Sequence, residues 1–174
     1  MKRVTEPLRD EHRDLWPHVE ALAGAADAIG EAPVPTVLAG VEAAHDFLAN
    51  HLIPHAEAEE QALYPTVGKL LGATAATATM SRDHVEVGRL TAELGQLRSR
   101  IGARIGLEAL EPADARDLRR VLYGLSALVR LHFAKEEEIY LPLLDSGLTA
   151  PQAQQMFGAM EAAAASAKAR RSTP

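Results

Sequence analysis

The sequence predicts an all-α protein, helix packed on helix, and three observations carry that prediction. Aromatic residues make up only 4% of the chain while alanine, leucine and glutamate dominate, which disfavours a sheet of β-branched and aromatic side chains. Five segments carry helical periodicity between breaks rich in Gly, Pro and Thr. The second segment also repeats in the fourth, with His55, Glu59, Glu60 and Pro65 falling on His132, Glu136, Glu137 and Pro142. Glu11-His12 of the first segment falls more weakly on Asp83-His84 of the third. Such a repeat predicts two helical hairpins facing each other across a pseudo-twofold axis.

The first helix is expected from about Thr5 to Ile29, stopped by Gly30-Glu31-Ala32-Pro33-Val34-Pro35. The second runs from about Thr36 to Leu71 and contains Pro54 and Pro65. A kink is expected at Pro54, since proline removes a backbone donor and crowds the preceding turn. After Gly72 comes a loop of small residues to Met80, and a third helix from near Ser81 to Ile105. The fourth spans about Pro112 to Leu144, with Leu118, Val121, Leu122, Leu125, Leu128, Val129, Ile139 and Leu143 as one apolar stripe. Thr149-Ala150-Pro151-Gln152 then reads as a capping box opening a short fifth, C-terminal helix over about residues 149–168, closing one end or side of the bundle. A chain of 174 residues fits a single domain, with its core bundle over about residues 5–145.

Composition limits the chemistry. The absence of cysteine excludes disulfides, thiolate metal sites and thiol nucleophiles, so any metal must sit on nitrogen and oxygen. A net charge of -6 argues against nucleic acid as a partner; the short basic tail at Lys168, Arg170 and Arg171 reads as a solvated, frayed terminus. No apolar run approaches the ~20 residues of a membrane span, and Met1-Lys2-Arg3 is followed by charged residues, not by a signal-peptide core. A cytoplasmic protein without a membrane partner is the expectation, as a monomer or weak homodimer.

Two polar groups interrupt the core stripe of the fourth helix. His132 follows Leu128 and Val129 on that face, and Glu136 lies one turn further on. The second helix repeats the arrangement with Leu48, Leu52, His55 and Glu59. A buried carboxylate must be protonated, paired or metal-bound, and no arginine or lysine occupies either stripe. Residues at i and i+4 hold their Cβ atoms ~5–6 Å apart, so each His-x-x-x-Glu can aim an imidazole and a carboxylate at one centre. His12, beside Leu8, Leu15 and Val19, and His84, beside Val87, Thr91 and Leu94, are candidates to complete the shell. Either motif alone is also compatible with a hydrogen-bonded core histidine and a solvated acidic face. The repeat favours metal, because two helices carry the same departure from apolar patterning.

In order and spacing these residues resemble the haemerythrin-like, or HHE cation-binding, family. The matching signals are His12, then His55-Ala56-Glu57-Ala58-Glu59-Glu60 ending in Tyr64-Pro65, then His84, then His132-Phe133-Ala134-Lys135-Glu136-Glu137 ending at Tyr140-Leu141-Pro142. The resemblance implies an up-down-up-down four-helix bundle around two non-haem iron ions joined by an oxo or hydroxo bridge. It implies His12, His55, Glu59, His84, His132 and Glu136 as metal ligands, with both glutamates bridging. One departure stands out: the oxygen carriers of the family have His-x-x-x-His in the third helix, whereas this chain has His84-Val85-Glu86-Val87-Gly88. Their second bridging carboxylate is an aspartate after the last histidine, where Glu136 would serve here.

His51, one turn before His55, is a candidate extra ligand or hydrogen-bond partner of the centre, and so is Tyr140, one turn after Glu136. His18 and His45 point away from the ligand faces. The expected ligands are small oxidants: dioxygen, peroxide or nitric oxide. Catalase-like peroxide decomposition by an oxidoreductase is the most concrete function; non-catalytic binding of dioxygen or nitric oxide, or iron sensing or storage, is the alternative. No residue is assigned a catalytic role by the sequence.

Overall fold

A computed structural model describes residues 3–104 and 108–172. Among the described residues there are five helical rods and no strand. α1 is Glu6–Asp27. α2 runs through Val34–Phe47, Leu48–Leu52, Ile53–Ala58, Glu59–Leu63 and Tyr64–Leu71. α3 is Ala78–Gly102. α4 runs through Pro112–Lys135, Glu136–Tyr140 and Leu141–Gly147, and α5 is Ala150–Ser172. The expected end of the third helix at Ile105 lies outside the described residues, as do Met1 and Lys2.

α1 and α3 each pack against both α2 and α4, which makes a helical bundle, and α5 lies along the second half of α2. Pro7 sits in the first turn of α1, where its missing N–H leaves no helical bond unmade. The buried Thr5 in front of it donates from its N–H and its hydroxyl to Asp145 Oδ1, at 2.9 Å each, tying the start of α1 to the end of α4. Gly30 stops α1 at φ 85° and Gly72 stops α2 at φ 63°, left-handed conformations that a Cβ would strain. At α5 the side chain of Gln152 accepts from the N–H of Thr149 at 2.9 Å, the backward arm of the expected capping box. α5 is not the short helix expected: it runs 23 residues to Ser172. Lys168 and Arg170 are exposed as expected but on a helix, Arg170 paired to Glu57 at 2.6 Å, and not on a frayed tail. The Arg171 side chain lies outside the described residues.

Three stretches are π-helical: Leu48–Leu52, Glu59–Leu63 and Glu136–Tyr140. Each ends two residues before a proline, Pro54, Pro65 or Pro142. A proline ring crowds the carbonyl one turn back, and a wider turn closed by a bond over five residues moves that carbonyl aside. The disturbance expected at Pro54 therefore takes the form of an inserted residue, and it recurs at Pro65 and Pro142 but not at Pro17, which α1 holds without a π turn.

Each wide turn also resets the helical phase. Leu118, Val121, Leu122, Leu125 and Val129 are buried as the stripe predicts, but within the π turn Ile139 is 59% exposed, and beyond it Leu141 and Leu144 are fully buried. Ile139 leaves the expected core stripe because the inserted residue breaks the period of 3.6 residues per turn. The reset has a measurable consequence. Leu141→Ala is expected to cost about 2–5 kcal/mol of stability through the cavity it leaves. Ile139→Ala should change it by no more than about 0.5 kcal/mol. Urea titrations of the two variants check this, and a costlier Ile139 variant would restore the unbroken stripe.

Candidate metal centre

Two apolar clusters divide the interior, and a polar layer lies between them. One cluster contains Val19, Leu22, Leu48, Leu52, Val87, Leu94, Leu125 and Val129; the other contains Leu8, Leu63, Val67, Met80, Leu141 and Leu144. Along α1, His12 falls between Leu8 and Val19; along α3, His84 falls between Met80 and Val87. His55 and Glu59 fall between Leu52 and Leu63, and His132 and Glu136 between Val129 and Leu141. All six candidate ligands thus share one layer, with both carboxylates wholly excluded from solvent.

The layer resolves into two groups. His12, His55, Glu59 and Glu136 bring ligand atoms within 4.8 Å of one another, and so do Glu59, His84 and His132. Glu59 Oε1 is 3.1 Å from His55 Nε2 and 3.9 Å from His12 Nε2; its Oε2 is 3.2 Å from His84 Nε2 and 3.9 Å from His132 Nε2. Glu136 divides in the same way, Oε2 lying 3.4 Å from His12 Nε2 and Oε1 3.4 Å from His132 Nε2. Each carboxylate therefore turns one oxygen toward each pair of histidines.

These groups fit a cation. Among the described residues, His12 Nε2, His55 Nε2, both oxygens of Glu59 and Glu136 Oε2 are buried without a hydrogen-bond partner, an expensive condition for polar atoms unless an ion completes them. In the protein alone His12, His55 and His132 serve as the cations. Burial would push His55 down, but Glu59 and Glu11 hold it well above its usual range. Burial is likewise outweighed at His132, where Glu136 and Glu59 raise the pKa to about 10. For Glu59 burial acts upward, and His55, His12 and His132 together hold it well below the usual carboxylate range. Nitrogen and carboxylate donors without thiolate suit iron among other first-row metals.

A family model for the hemerythrin HHE cation binding domain matches residues 3–144. The chain belongs to that family. No curated protein and no solved structure matches it. HHE membership and the buried His/Glu cluster together make this a metal-binding protein, with iron the favoured ion.

This HHE chain carries a further ring of carboxylates to which the sequence reading gave no role. His12 Nδ1 is 2.8 Å from Glu137 Oε1, His55 Nδ1 3.0 Å from Glu11 Oε1, His84 Nδ1 2.8 Å from Glu60 Oε1 and His132 Nδ1 3.1 Å from Asp83 Oδ2. The pattern obeys the internal repeat: Glu11 on α1 serves His55 as Asp83 on α3 serves His132, and Glu60 serves His84 as Glu137 serves His12. At His12, His84 and His132 the carboxylate is within hydrogen-bond geometry of Nδ1, and a proton held there leaves the Nε2 lone pair facing the layer. At His55 the contact with Glu11 is an ion pair without that geometry. Arg9 in turn pairs with Glu137, Lys135 with Asp83, and Ser81 donates to Glu60 at 2.9 Å. The signal was present in the sequence as the match of Glu11-His12 to Asp83-His84.

Neither candidate extra ligand lies in the cluster. His51 is exposed, because the π turn at Leu48–Leu52 breaks the four-residue register that would place it beneath His55. Tyr140 donates to the carbonyl of Ala76 at 3.2 Å, its direction likewise set by the π turn that contains it. The tyrosine at the site is Tyr64. Its hydroxyl donates to Glu136 Oε1 at 3.0 Å and lies 3.2 Å from His132 Nε2 and 3.4 Å from His84 Nε2. Burial, with Glu59 and Glu136 nearby, pushes its pKa up, so the phenol keeps its proton. Its repeat counterpart is Leu141, so it makes the two halves of the centre unequal. At Gly88 an added Cβ would meet nothing within 4 Å, which leaves open space one turn beyond His84.

Proposed function

We propose that the chain is a single-domain, up-down-up-down di-iron protein that decomposes peroxide. His12 and His55 would hold one ion and His84 and His132 the other, with Glu59 and Glu136 bridging. The supporting observation is the division of both carboxylates, one oxygen to each histidine pair. The order of packing, α1 and α3 each between α2 and α4, supports the alternating path.

Bound iron would supply the change of redox state that turns two peroxide molecules into two water molecules and dioxygen. The chain supplies the rest. Glu60, Asp83 and Glu137 would hold the Nδ1 protons of His84, His132 and His12, with Glu11 paired to His55, and so turn each Nε2 toward the ions, which displace any proton there. The apolar clusters on either side exclude bulk water. Tyr64 holds a proton at Oη beside Glu136, where an oxygen leaving the O–O bond needs one. Gly88 in place of a further imidazole leaves room for peroxide, which favours turnover over reversible oxygen carriage.

Iron-loaded protein should evolve dioxygen from hydrogen peroxide. Tyr64→Phe should keep its metal yet turn over about 100-fold more slowly, the size of a lost general acid. An oxygen electrode and metal analysis on the same samples check both. Reversible dioxygen uptake by the reduced protein, with no oxygen released from peroxide, would return the chain to the carriers and sensors.

A further inference from the structure

Between α1 and α4 a groove of about 300 Å³ opens outward from the His12–Glu137 pair. Its walls are Trp16, Phe133 and Ala134, and Arg13 and Arg130 stand on its rim. Phe133 is fixed by stacking on His12, with ring centroids 4.3 Å apart and 15° between planes. The Arg130 guanidinium lies over Trp16, 5.5 Å from the ring centroid.

The rim charges are unequal. Arg9 is neutralised by Glu137 and Asp145, and Arg13 by Glu6 and Asp10. Among the described residues, no carboxylate lies within ion-pairing distance of Arg130, which keeps its fork of donors for something else. The groove is small among ligand pockets, too small for a dinucleotide or a haem. A neutral apolar ligand would leave the guanidinium unused, and a small inorganic anion would leave the aromatic walls unused.

We propose that this groove binds a planar organic anion the size of an aromatic monocarboxylate, its ring against Trp16 and Ala134 and its carboxylate paired with Arg130. Guanidinium and carboxylate match as a bidentate, charge-assisted pair, and the indole beneath Arg130 holds the fork in place. The chain's net charge of -6 repels anions in general, so the local arginine is what makes an anion acceptable here. Nothing in this proposal requires peroxide chemistry.

Trp16 is the chain's one tryptophan, so indole emission reports on the groove alone. The test titrates the metal-loaded protein with benzoate, with acetate as charge without a ring and with benzyl alcohol as a ring without charge. Benzoate should change the emission saturably, and acetate and benzyl alcohol should bind at least about tenfold more weakly. Calorimetry then compares variants, because removing Arg130 alters Trp16 emission by itself. Arg130→Gln should weaken benzoate about tenfold and Arg130→Lys by less, with metal content and circular dichroism unchanged. No saturable benzoate binding, equal binding of acetate or benzyl alcohol, or full affinity in Arg130→Gln would each overturn the proposal.

Discussion

Glu59→Gln is expected to strip most of the bound metal, whereas Glu60→Gln leaves most of it in place. The two residues are neighbours on α2, yet Glu59 is fully buried with an oxygen toward each histidine pair, and Glu60 touches His84 from outside through Nδ1. Glutamine at position 59 removes a negative charge shared by four imidazoles and puts a donor where an acceptor is required. Glutamine at position 60 still accepts from His84 Nδ1, and loss of such an outer partner costs about 10–100-fold in affinity. That loss is invisible at saturating metal and appears only against a competing chelator. Metal analysis after desalting, followed by chelator competition, separates the variants. Equal loss from both would mean that Glu59 is not the shared group.

Removing the metal is expected to lower the melting temperature by about 10 °C or more without unfolding the chain. A ligand that binds only the native state stabilises by about 4 kcal/mol at a thousandfold excess over Kd, and for a chain of this length each kcal/mol shifts the midpoint by roughly 2–4 °C. The stripped protein keeps both apolar clusters, and its protonated histidines partly replace the cations. That replacement depends on pH. His132 has a folded pKa raised to about 10, so its pairing is fully present below the ordinary histidine value and is lost as pH rises through the folded one. Metal needs neutral imidazoles, so its advantage grows in the same direction. The gap between loaded and stripped melting temperatures should widen from about pH 6 to about pH 9. Calorimetric melts across that range check it, and a gap of zero at every pH would place the metal outside the core.

The sequence by itself determined the five helices, the core stripes ahead of Pro54 and Pro142 and the six residues of the polar layer. These follow from local rules: periodicity, breakers and the cost of burying a carboxylate among leucines, applied twice through the repeat. Tertiary structure decided what happens around Pro54, Pro65 and Pro142. Three π turns inserted a residue into the register, which turned His51 and Ile139 outward and aimed Tyr140 at the Ala76 carbonyl. It also decided which carboxylate serves which histidine, since Glu11 meets His55 and Glu137 meets His12 only when different helices pack together. Tyr64 entered the layer by the same route, carried there by a turn whose width depends on how Pro65 is accommodated. A period of 3.6 residues per turn is a property of an unperturbed helix, and proline beside a crowded layer removes that condition at the places where function is built.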